Sequence, residues 1–474
     1  MSGARKTASF KTDPAAHWDQ LLRPQVKSSP DLAREFLERL RAAKLTFGKR
    51  VHCPFLRPAF LSPEDERRVR QAAETVVRVA ERLANQALRD RSLLQQFRLS
   101  PDEERLVRLP MGGGWASTAS RLDAFLEPSS LRFTEYNGES PAGPGYSETL
   151  ATLFAELPVM EEFRKRFEVH SYPLGAKLLD ALVATYRDWG GTTDRPQVAI
   201  VDWHEVPTWS EFEILQERFE RMRVPTVVAD PRELAFDGKH LWASGRKIDL
   251  VYRRVLINDI LARPKECAAL LDAYAAGAVC VANTFRCKIP HVKAFFAVLT
   301  EARNDRYFAT EERTLIRRHV PWTRIVEDVR TDYDGEPIEL LRYMRRHQRR
   351  LVMKPSDEYG GKGVTLGWEV SVRQWERSIE QALSGGKLPN EQGCWVVQER
   401  IPARRGTFPY IGAGHKVEFR KMLVDFAPYL FRGKVAGFLT RLSGTSLANV
   451  TSGGGQIPSF RVERKRSTEI ERAS

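Results

Sequence analysis

The segment LVMKPSDEYGGKGV at residues 351–364 constrains the fold more than any other part of the chain. It opens at Leu351 with three apolar residues, which are typical of a short buried strand. Pro355 disfavours continuation of that strand past Lys354, because proline cannot donate to a sheet ladder. Three glycines and another lysine then follow within four residues. The sequence therefore predicts a short strand at residues 351–353, with Lys354 directly after its end, and then a loop able to approach a ligand closely.

This loop is formed by Gly360, Gly361, Lys362 and Gly363. Two lysines beside many backbone N–H groups suit a polyphosphate, which needs cations and hydrogen-bond donors together. The loop is not a P-loop, which has two glycines separated by four residues and then Lys and Ser or Thr at the start of a helix. Residues 364–370 instead predict a second strand, so the loop joins two strands as a flap. The alternative interpretation is a glycine-rich hairpin with solvated lysines.

A further apolar strand, CWVVQERI, is predicted at residues 394–401 and becomes polar at Gln398 and Glu399. Such a strand edge, ending at Ile401, can present backbone groups and a carboxylate to an adenine. The lysine before the flap, the flap and this strand occur in the order and approximate spacing of the ATP-grasp nucleotide site. Residues 286–460 therefore resemble an ATP-grasp domain, a fold that holds ATP between two α+β halves. Its usual chemistry is ATP-dependent joining of a carboxylate to an amine, with release of ADP and phosphate.

Oxygen ligands for Mg²⁺, which such a site also needs, occur upstream of the flap. Asp123 is predicted at the end of one strand, and Glu135 and Asn137 share one face of the next. Asp, then Glu-x-Asn followed by Ser-Pro, resembles the metal strand of glutathione-synthetase-like ATP-grasp enzymes. Its place before the nucleotide loop resembles the circularly permuted branch, which includes glutathionylspermidine synthase. The resemblance implies that these three residues bind Mg²⁺, as two ions; the alternative is an Asn-Gly turn with surface acids.

The resemblance also implies roles around the reacting phosphate. Arg121 matches an arginine close to that phosphate in the permuted relatives, and Arg441, predicted to end a strand, could neutralise charge on the γ-phosphate. Both are predicted to be catalytic. Lys293, before an apolar helix, is assigned to the α- or β-phosphate, with Lys288 as the alternative. Asn449, in a serine-glycine loop, is assigned to the nucleotide. Salt bridges, solvated lysines and a flexible loop are the corresponding structural alternatives.

The net charge of +14 over 474 residues invites a nucleic-acid partner. The basic excess is mostly arginine spread along predicted helices, so a nucleic-acid partner is not expected; an acidic or phosphorylated substrate explains the charge equally well. The five cysteines form no C-x-x-C pair and no zinc-ligand spacing. Residues 1–27 lack the apolar run of a signal peptide, and no segment could span a membrane. We therefore expect a cytoplasmic protein with reduced cysteines.

Strands predicted at residues 197–201, 225–229, 249–253 and 278–282 alternate with helices, which indicates parallel crossover units. No G-x-G-x-x-G motif accompanies them, so a dinucleotide is not inferred. The predicted fold class is α/β (α+β): a circularly permuted ATP-grasp with a Rossmann-like sheet and an N-terminal helical region. The predicted divisions are a mostly helical region at 1–110, permuted metal strands and helices at 111–190, a Rossmann-like pre-grasp domain at 191–285, a nucleotide-binding domain at 286–460, and a disordered tail at 461–474.

Together these features predict an ATP-dependent carboxylate–amine ligase that forms an amide or peptide-like bond through an acyl-phosphate. Its partners would be ATP, Mg²⁺, and small-molecule or peptide carboxylate and amine substrates. The sequence indicates neither the two substrates nor an oligomeric state. Two alternatives stay open: a phosphotransferase of the same fold without an amine acceptor, and a catalytically degenerate basic protein that binds nucleic acid or acts as a scaffold.

Overall fold

The largest sheet of the computed structural model joins strands from the first and last thirds of the chain. The structure describes residues 13–29, 31–48, 50–110, 112–358, 360–385, 394–403, 405–447 and 454–465. The α-helices of these residues are α1 (Pro14–Ser28), α2 (Leu32–Ala42), α3 (Pro63–Ala87), α4 (Arg91–Leu94), α5 (Pro101–Val107), α6 (Pro144–Ala155), α7 (Pro158–Arg164), α8 (Leu174–Trp189), α9 (Trp209–Arg221), α10 (Ile257–Ala262), α11 (Ala268–Ala275), α12 (Lys288–His291), α13 (Ala294–Thr300), α14 (Thr310–His319), α15 (Leu340–Arg346) and α16 (Val372–Leu383).

The strands of the described residues form several separate sheets. In chain order they are β1 (Thr46–Phe47), β2 (Arg50–Val51), β3 (Ala59–Leu61), β4 (Ala119–Glu127), β5 (Ser130–Asn137), β6 (Phe167–His170), β7 (Val198–Val201), β8 (Thr226–Ala229), β9 (Ala235–Phe236), β10 (Leu241–Ala243), β11 (Arg246–Ile248), β12 (Leu250–Arg253), β13 (Cys280–Ala282), β14 (Thr323–Ile325), β15 (Arg330–Tyr333), β16 (Glu336–Glu339), β17 (Leu351–Pro355), β18 (Thr365–Leu366), β19 (Trp395–Glu399), β20 (Arg405–Ile411), β21 (Val417–Phe431), β22 (Lys434–Ser443), β23 (Gly455–Ile457) and β24 (Ser459–Arg464).

Helix α3 is a long amphipathic helix that packs on strands β21 and β22. It begins where its sequence dictates: the Ser62 side chain accepts a hydrogen bond from the backbone N–H of Asp65, and Pro63 occupies the first turn. Val76 and Leu83 are fully buried on the face that meets the sheet. The helix therefore covers one side of the largest sheet and leaves its other side to the candidate site.

The parallel sheet predicted between residues 195 and 285 is confirmed. Its order is β13-β12-β7-β8, and every neighbouring pair is parallel. Asn283, directly after β13, ties this sheet to strand β4. Its Nδ2 donates to the carbonyl of Ala119 (2.6 Å), and its Oδ1 accepts from the Ala119 N–H (2.9 Å). The carboxyl end of the parallel sheet is thus fixed beside the strands that carry Asp123 and Glu135.

The glycine-rich segment belongs to an antiparallel sheet of order β14-β19-β17-β18. The prediction that Lys354 follows the strand is wrong, because pairing with β19 continues through Lys354 opposite Val396 and ends at Pro355. Because Pro355 is the last paired residue of the strand, its missing N–H removes little hydrogen bonding from the sheet. The strand predicted at 364–370 is confined to β18, because the chain turns away after Leu366. The loop still joins two antiparallel strands, as predicted.

Gly367 closes the turn beside this loop, and replacing it with alanine is expected to destabilise the protein by about 1–3 kcal/mol through overpacking. A Cβ atom there would lie 2.0 Å from the carbonyl oxygen of Gln348 and 2.8 Å from that of Leu351. Gly444→Ala is the matched control, because a Cβ atom at Gly444 meets nothing within 4 Å. Urea denaturation of both variants checks the prediction, which equal midpoints would contradict.

The largest sheet has the order β23-β22-β21-β4-β5, and β20 pairs with the first half of β21. Arg441 lies inside strand β22, directly opposite Asp425 of β21, so the prediction that it ends a strand is wrong. The strand continues because β23 pairs along its other edge. Asp123 likewise lies in the middle of β4 rather than at its end, opposite Glu135 of β5.

A three-stranded sheet of order β3-β24-β6 holds residues from both ends of the chain. Strand β24 pairs in parallel with β3 and antiparallel with β6, and Val462 on it is fully buried. The prediction of a disordered tail from residue 461 is therefore wrong for residues 461–464. In the described part of the chain, no helix is both long enough and apolar enough to cross a bilayer.

Candidate functional site

A cavity of about 290 Å³ lies between the antiparallel sheet of the glycine loop and the largest sheet. Its volume is at the lower end of the range of small-molecule sites, about 300–1,000 Å³. Ten of the predicted site residues line it: Asp123, Glu135, Lys293, Lys354, Gly360, Gly361, Gln398, Glu399, Ile401 and Arg441. These residues come from distant parts of the sequence, and the fold brings them to one concave surface.

The floor of the cavity is formed by two carboxylates and one arginine, and a second arginine supports them from outside the cavity. Asp123 accepts from Arg121 Nε (2.6 Å) and from Arg441 Nη2 (2.5 Å). Arg441 also donates from Nε to Asp425 Oδ2 (2.7 Å). Burial alone would raise the pKa of Asp123, but the two arginines hold it below its usual range. Arg441 is therefore a guanidinium shared by two carboxylates at the bottom of the cavity.

The second carboxylate of this group, Asp425, has the opposite pKa shift. Its side chain is 1% exposed, and burial raises its pKa to about 7 even though Arg441 favours the charged form. The charge of Asp123 raises that pKa further. Two carboxylates that share one site separate in pKa in this way, because the second ionisation meets the charge of the first.

A β-bulge between strands β4 and β5 shapes the wall above this floor. The register shifts after Asp123, which pairs with Glu135, while Ala124 pairs with Phe133. Thr134 is the extra residue, and both Thr134 and Glu135 line the cavity. Bulges commonly re-aim side chains near functional sites. The bulge places the Asp123 and Glu135 carboxylates opposite each other on the same cavity.

The predicted magnesium ligands give an oxygen-rich but incomplete set. The described residues contain no group of three His, Cys, Asp or Glu side chains arranged for a metal. Asn137 does not line the cavity, and its Nδ2 lies 3.5 Å from Glu135 Oε1. Mg²⁺ is usually bound by one or two carboxylates together with waters and substrate phosphates. Asp123 and Glu135 fit an ion carried by a polyphosphate rather than one held by the protein alone.

Lys354 is a half-buried lysine of the cavity wall. Its Nζ donates to the side-chain oxygen of Gln398 (2.8 Å) and to the carbonyl of Thr134 (3.1 Å). Burial lowers its pKa to about 8; Glu135 raises this pKa and Lys293 lowers it. Gln398 is 3% exposed and also donates from Nε2 to Thr323 Oγ1 (3.1 Å), so it positions the lysine rather than presenting its side chain to an adenine.

The glycine loop has a backbone conformation that is open mainly to glycine. Gly360, Gly361 and Gly363 have φ angles of 66°, 77° and 69°, a region that side chains with a Cβ rarely adopt. Only the first two of these glycines are among the cavity-lining residues of the described chain. Lys293 reaches the loop from the other side: its Nζ lies 3.5 Å from Glu135 Oε2 and donates to the carbonyl of Glu358.

The strand edge predicted to meet adenine forms one end of the cavity. Glu399 accepts from the hydroxyl of Tyr333 (2.8 Å), which fixes its carboxylate. Arg400 stacks over the ring of Trp368 at 4.3 Å, and both residues line the cavity with Ile401. An aromatic and aliphatic wall beside a fixed carboxylate can take a flat, polar-edged ring such as a nucleobase.

Several predicted residues are placed elsewhere. Arg121 is 8% exposed behind Asp123 and also donates to the carbonyl of Ala142, so in this structure it forms a salt bridge rather than part of the cavity wall. Lys362 does not line the cavity in the described chain, and Asn449 lies outside the described residues. Lys288 is 1% exposed and lies among carboxylates, so of the two alternatives Lys293 is the one at the cavity.

Sequence reasoning missed Asp425, Arg405 and the two stacked residues Trp368 and Arg400, all of which line the cavity. The signal for Asp425 was present: a lone carboxylate in the apolar run of strand β21 needs a buried partner. Arg405 donates to the carbonyls of residues 444 and 445 (both 3.0 Å), and nothing in its local sequence indicates that contact.

Comparison with known proteins bears on the fold. No protein-family model matches the chain. The chain covers 98% of a glutathione synthetase-like effector from Globodera pallida with 95% of its own length, a TM-score of 0.57 and 11% identity. The fold is glutathione synthetase-like, of the ATP-grasp type. In sequence, the chain is 28% identical over 295 residues to a protein from Frankia alni named as a glutamate–cysteine ligase. That match takes in 59% of this chain and 31% of the relative, so the chain spans about a third of the length of the curated relative it matches.

Proposed function

We propose that this protein is an ATP-dependent ligase that joins a carboxylate to an amine through an acyl-phosphate. The supporting observation is the convergence on one cavity of Lys293, Lys354, the first two glycines of the loop, the Asp123–Glu135 pair and Arg441. This set has cations for a polyphosphate, oxygens for its metal ion, and a guanidinium for the transferred group. The glutathione synthetase-like fold supports the same assignment.

In this proposal the lysines and the loop glycines hold the phosphates, while the Glu399–Ile401 edge holds the base. A substrate carboxylate attacks the γ-phosphorus, the bond to ADP breaks, and Arg441 stabilises the negative charge of the transferred group. The amine then attacks the acyl carbon, phosphate leaves, and the amine loses a proton. Asp123 and Glu135 would hold Mg²⁺, which when bound neutralises phosphate charge. The closed loop limits water access, which protects the acyl-phosphate from hydrolysis.

The order of these parts along the chain supports the finer assignment to a circularly permuted ATP-grasp. Strand β4, which carries Asp123, and its neighbour β5, which carries Glu135, precede the glycine loop by more than two hundred residues, yet β4 pairs with β21, which follows the loop. The Frankia alni relative is named for ligation of glutamate and cysteine, and we propose small amino-acid-like or peptide substrates for this chain too.

Calorimetric titration with ATP in the presence of Mg²⁺ tests the proposal, using the wild type and the double variant Glu135→Ala, Asn137→Ala. We expect binding that requires Mg²⁺ in the wild type and its loss in the variant, because the variant lacks the Glu135 carboxylate, one of the two proposed to hold the metal ion, and the Asn137 amide beside it. Glu220→Ala is the control: this glutamate is exposed on helix α9 and does not line the cavity.

A second measurement separates the ligase from its alternatives. ADP release by a ligase requires a carboxylate and an amine together, whereas release with a carboxylate alone and a stable phosphorylated product would indicate a phosphotransferase. Absence of ATP binding by the folded wild type would contradict the proposal. Steeply salt-dependent binding to generic nucleic acid would then favour the basic scaffold.

A further inference from the structure

Residues 356–358, which follow strand β17 and precede the glycine loop, are fastened to the chain around helices α12 and α13. The carbonyl of Ser356 accepts from the N–H of Lys293 (2.7 Å), and Ser356 Oγ accepts from the N–H of Ala294 (3.2 Å). The carbonyl of Glu358 accepts from Lys293 Nζ. The segment that joins strand β17 to the glycine loop is therefore held in place on both sides of Asp357.

The side chain of Asp357 makes the strongest of these contacts. Its Oδ2 accepts from Lys288 Nζ (2.5 Å) and from Asn258 Nδ2 (2.7 Å), and Asn258 Oδ1 in turn accepts from Lys288 Nζ (2.9 Å). Lys288 is 1% exposed. Charge-assisted hydrogen bonds in an enclosed place are stronger than those in water, and a closed triangle of donors and acceptors fixes their geometry.

Lys288 also connects this triangle to the rest of the site. Its Nζ lies 3.3 Å from Glu103 and 3.7 Å from Glu139, which follows the predicted metal strand by two residues. Glu139 is 3.2 Å from Arg253, at the carboxyl end of the parallel sheet. Lys288 therefore touches the segment before the loop, the segment after strand β5, and helix α5 at once, while lying outside the cavity wall.

We propose that the Lys288–Asp357 pair is a positioning device that holds the glycine loop in its nucleotide-binding arrangement before any nucleotide binds. Lys288 is then a positioning residue that acts through Asp357 and does not contact phosphate. A loop ordered in advance avoids its ordering cost at the moment of binding, which raises the apparent affinity. This proposal rests on the proposed function only because it names a nucleotide as the ligand. The docking of the loop through Asp357 does not depend on that function.

The docked fraction of the loop determines two measurable quantities, the dissociation constant of the nucleotide and the exchange rate of the loop amides. If only the docked loop binds nucleotide, the apparent dissociation constant equals the intrinsic one divided by the docked fraction. A variant whose loop is open most of the time has a smaller docked fraction. Its apparent dissociation constant rises by the same factor by which that fraction falls. Backbone amides of the loop exchange with solvent in the open state, so their exchange reports the same opening.

The test is hydrogen–deuterium exchange of residues 360–366 in the full chain without nucleotide, comparing the wild type with Asp357→Asn. This change keeps the side-chain shape and removes the charge that faces Lys288. We expect exchange of these amides to accelerate about tenfold or more. We also expect the dissociation constant of ATP with Mg²⁺ to rise as the docked fraction falls. Exchange in strands β7 and β12 should stay at the wild-type rate, which a general loss of stability would not allow.

Glu103→Gln is the matched control, because it removes a carboxylate from the same lysine without touching the loop. Gln at this position keeps the helix cap that Glu103 makes with Ser100. We expect wild-type exchange at residues 360–366 in this variant. Equal acceleration in both variants, or none in Asp357→Asn, would overturn the proposal.

These measurements distinguish failure of the proposed function from failure of the docking proposal. Failure of the wild type to bind ATP would contradict the proposed function, while the exchange comparison would still decide whether Asp357 docks the loop. Should Asp357→Asn fail to fold, Asn258→Ala takes its place, because Asn258 is exposed and supplies one of the two donors to the same carboxylate oxygen. We then expect acceleration of the same amides by about threefold, and unchanged exchange would again overturn the proposal.

Discussion

Replacing Lys354 with methionine is expected to weaken ATP binding in the presence of Mg²⁺ about 30- to 150-fold. Hydrogen bonds between charged partners contribute about 1.5–3 kcal/mol, and 2–3 kcal/mol corresponds to this loss of affinity. Folding stability should not fall, because burial already disfavours the charged ammonium, as its pKa of about 8 shows. Calorimetry for binding and urea denaturation for stability measure the two effects separately.

The same lysine gives the binding a pH dependence with a definite sign. Below its pKa of about 8 the amine is charged and can hold phosphate; above it the neutral amine cannot, so the wild-type affinity should fall as pH rises from 7 to 9.5. Lys354→Met should show no such fall. Lys165→Met is the control, because Lys165 is a 61% exposed lysine paired only with Glu162. An affinity within threefold of the wild type in Lys354→Met would contradict the prediction.

Replacing Arg441 with methionine is expected to lower the free energy of unfolding by about 3–5 kcal/mol at pH 8, because removal of one partner leaves buried charge uncompensated. The loss should be smaller at pH 5.5. Without Arg441 the pKa of Asp425 rises further above its already raised value, so the folded variant keeps a proton on this carboxyl that the unfolded chain has released, and this difference costs more stability at higher pH. Stability of the variant should therefore decline as pH rises between these limits, as measured by urea denaturation.

Two companion variants sharpen this measurement. Arg420→Met removes an exposed arginine from strand β21, where its partner Glu418 is also exposed, and should change stability by about 1 kcal/mol or less. Adding Asp425→Asn to Arg441→Met should restore part of the lost stability at pH 8, since the amide needs neither a counter-ion nor a proton taken up on folding. Equal losses at pH 5.5 and pH 8 would contradict the assigned pairing.

The features predicted well from sequence are those that local pattern encodes. Strand–helix alternation specifies a parallel sheet, and glycines at three positions of a four-residue loop specify the left-handed backbone found there. The strand β24 was missed although it has a period-two pattern, with Phe460 and Val462 buried and Arg461 between them partly exposed. Its charged residues suggested a solvated tail, because nothing local indicates the two strands that cover it.

The parts of the site that sequence could not give depend on register between distant strands. Asp425 faces Arg441 because β21 and β22 pair in one alignment, and a slip of one residue would turn one of the two side chains to the other face. Gln398 accepts a hydrogen bond from Lys354 for the same reason, because strands β19 and β17 pair side by side. The roles assigned to Arg121, Asn137 and Asn449 stay predictions.

The Asp123–Arg441 contact joins residues 318 positions apart, and this separation has a consequence for biosynthesis. The parallel sheet uses residues 198–282 and can pair while the ribosome is still adding chain, because domains generally fold as units in order of synthesis. Strand β4 can pair with β5 early, but its opposite edge stays unpaired until β21 has been synthesised. Such non-local pairing makes folding slow and exposes a strand edge to aggregation. The cavity is therefore complete only after the strands that carry Asp425 and Arg441 have joined the sheet.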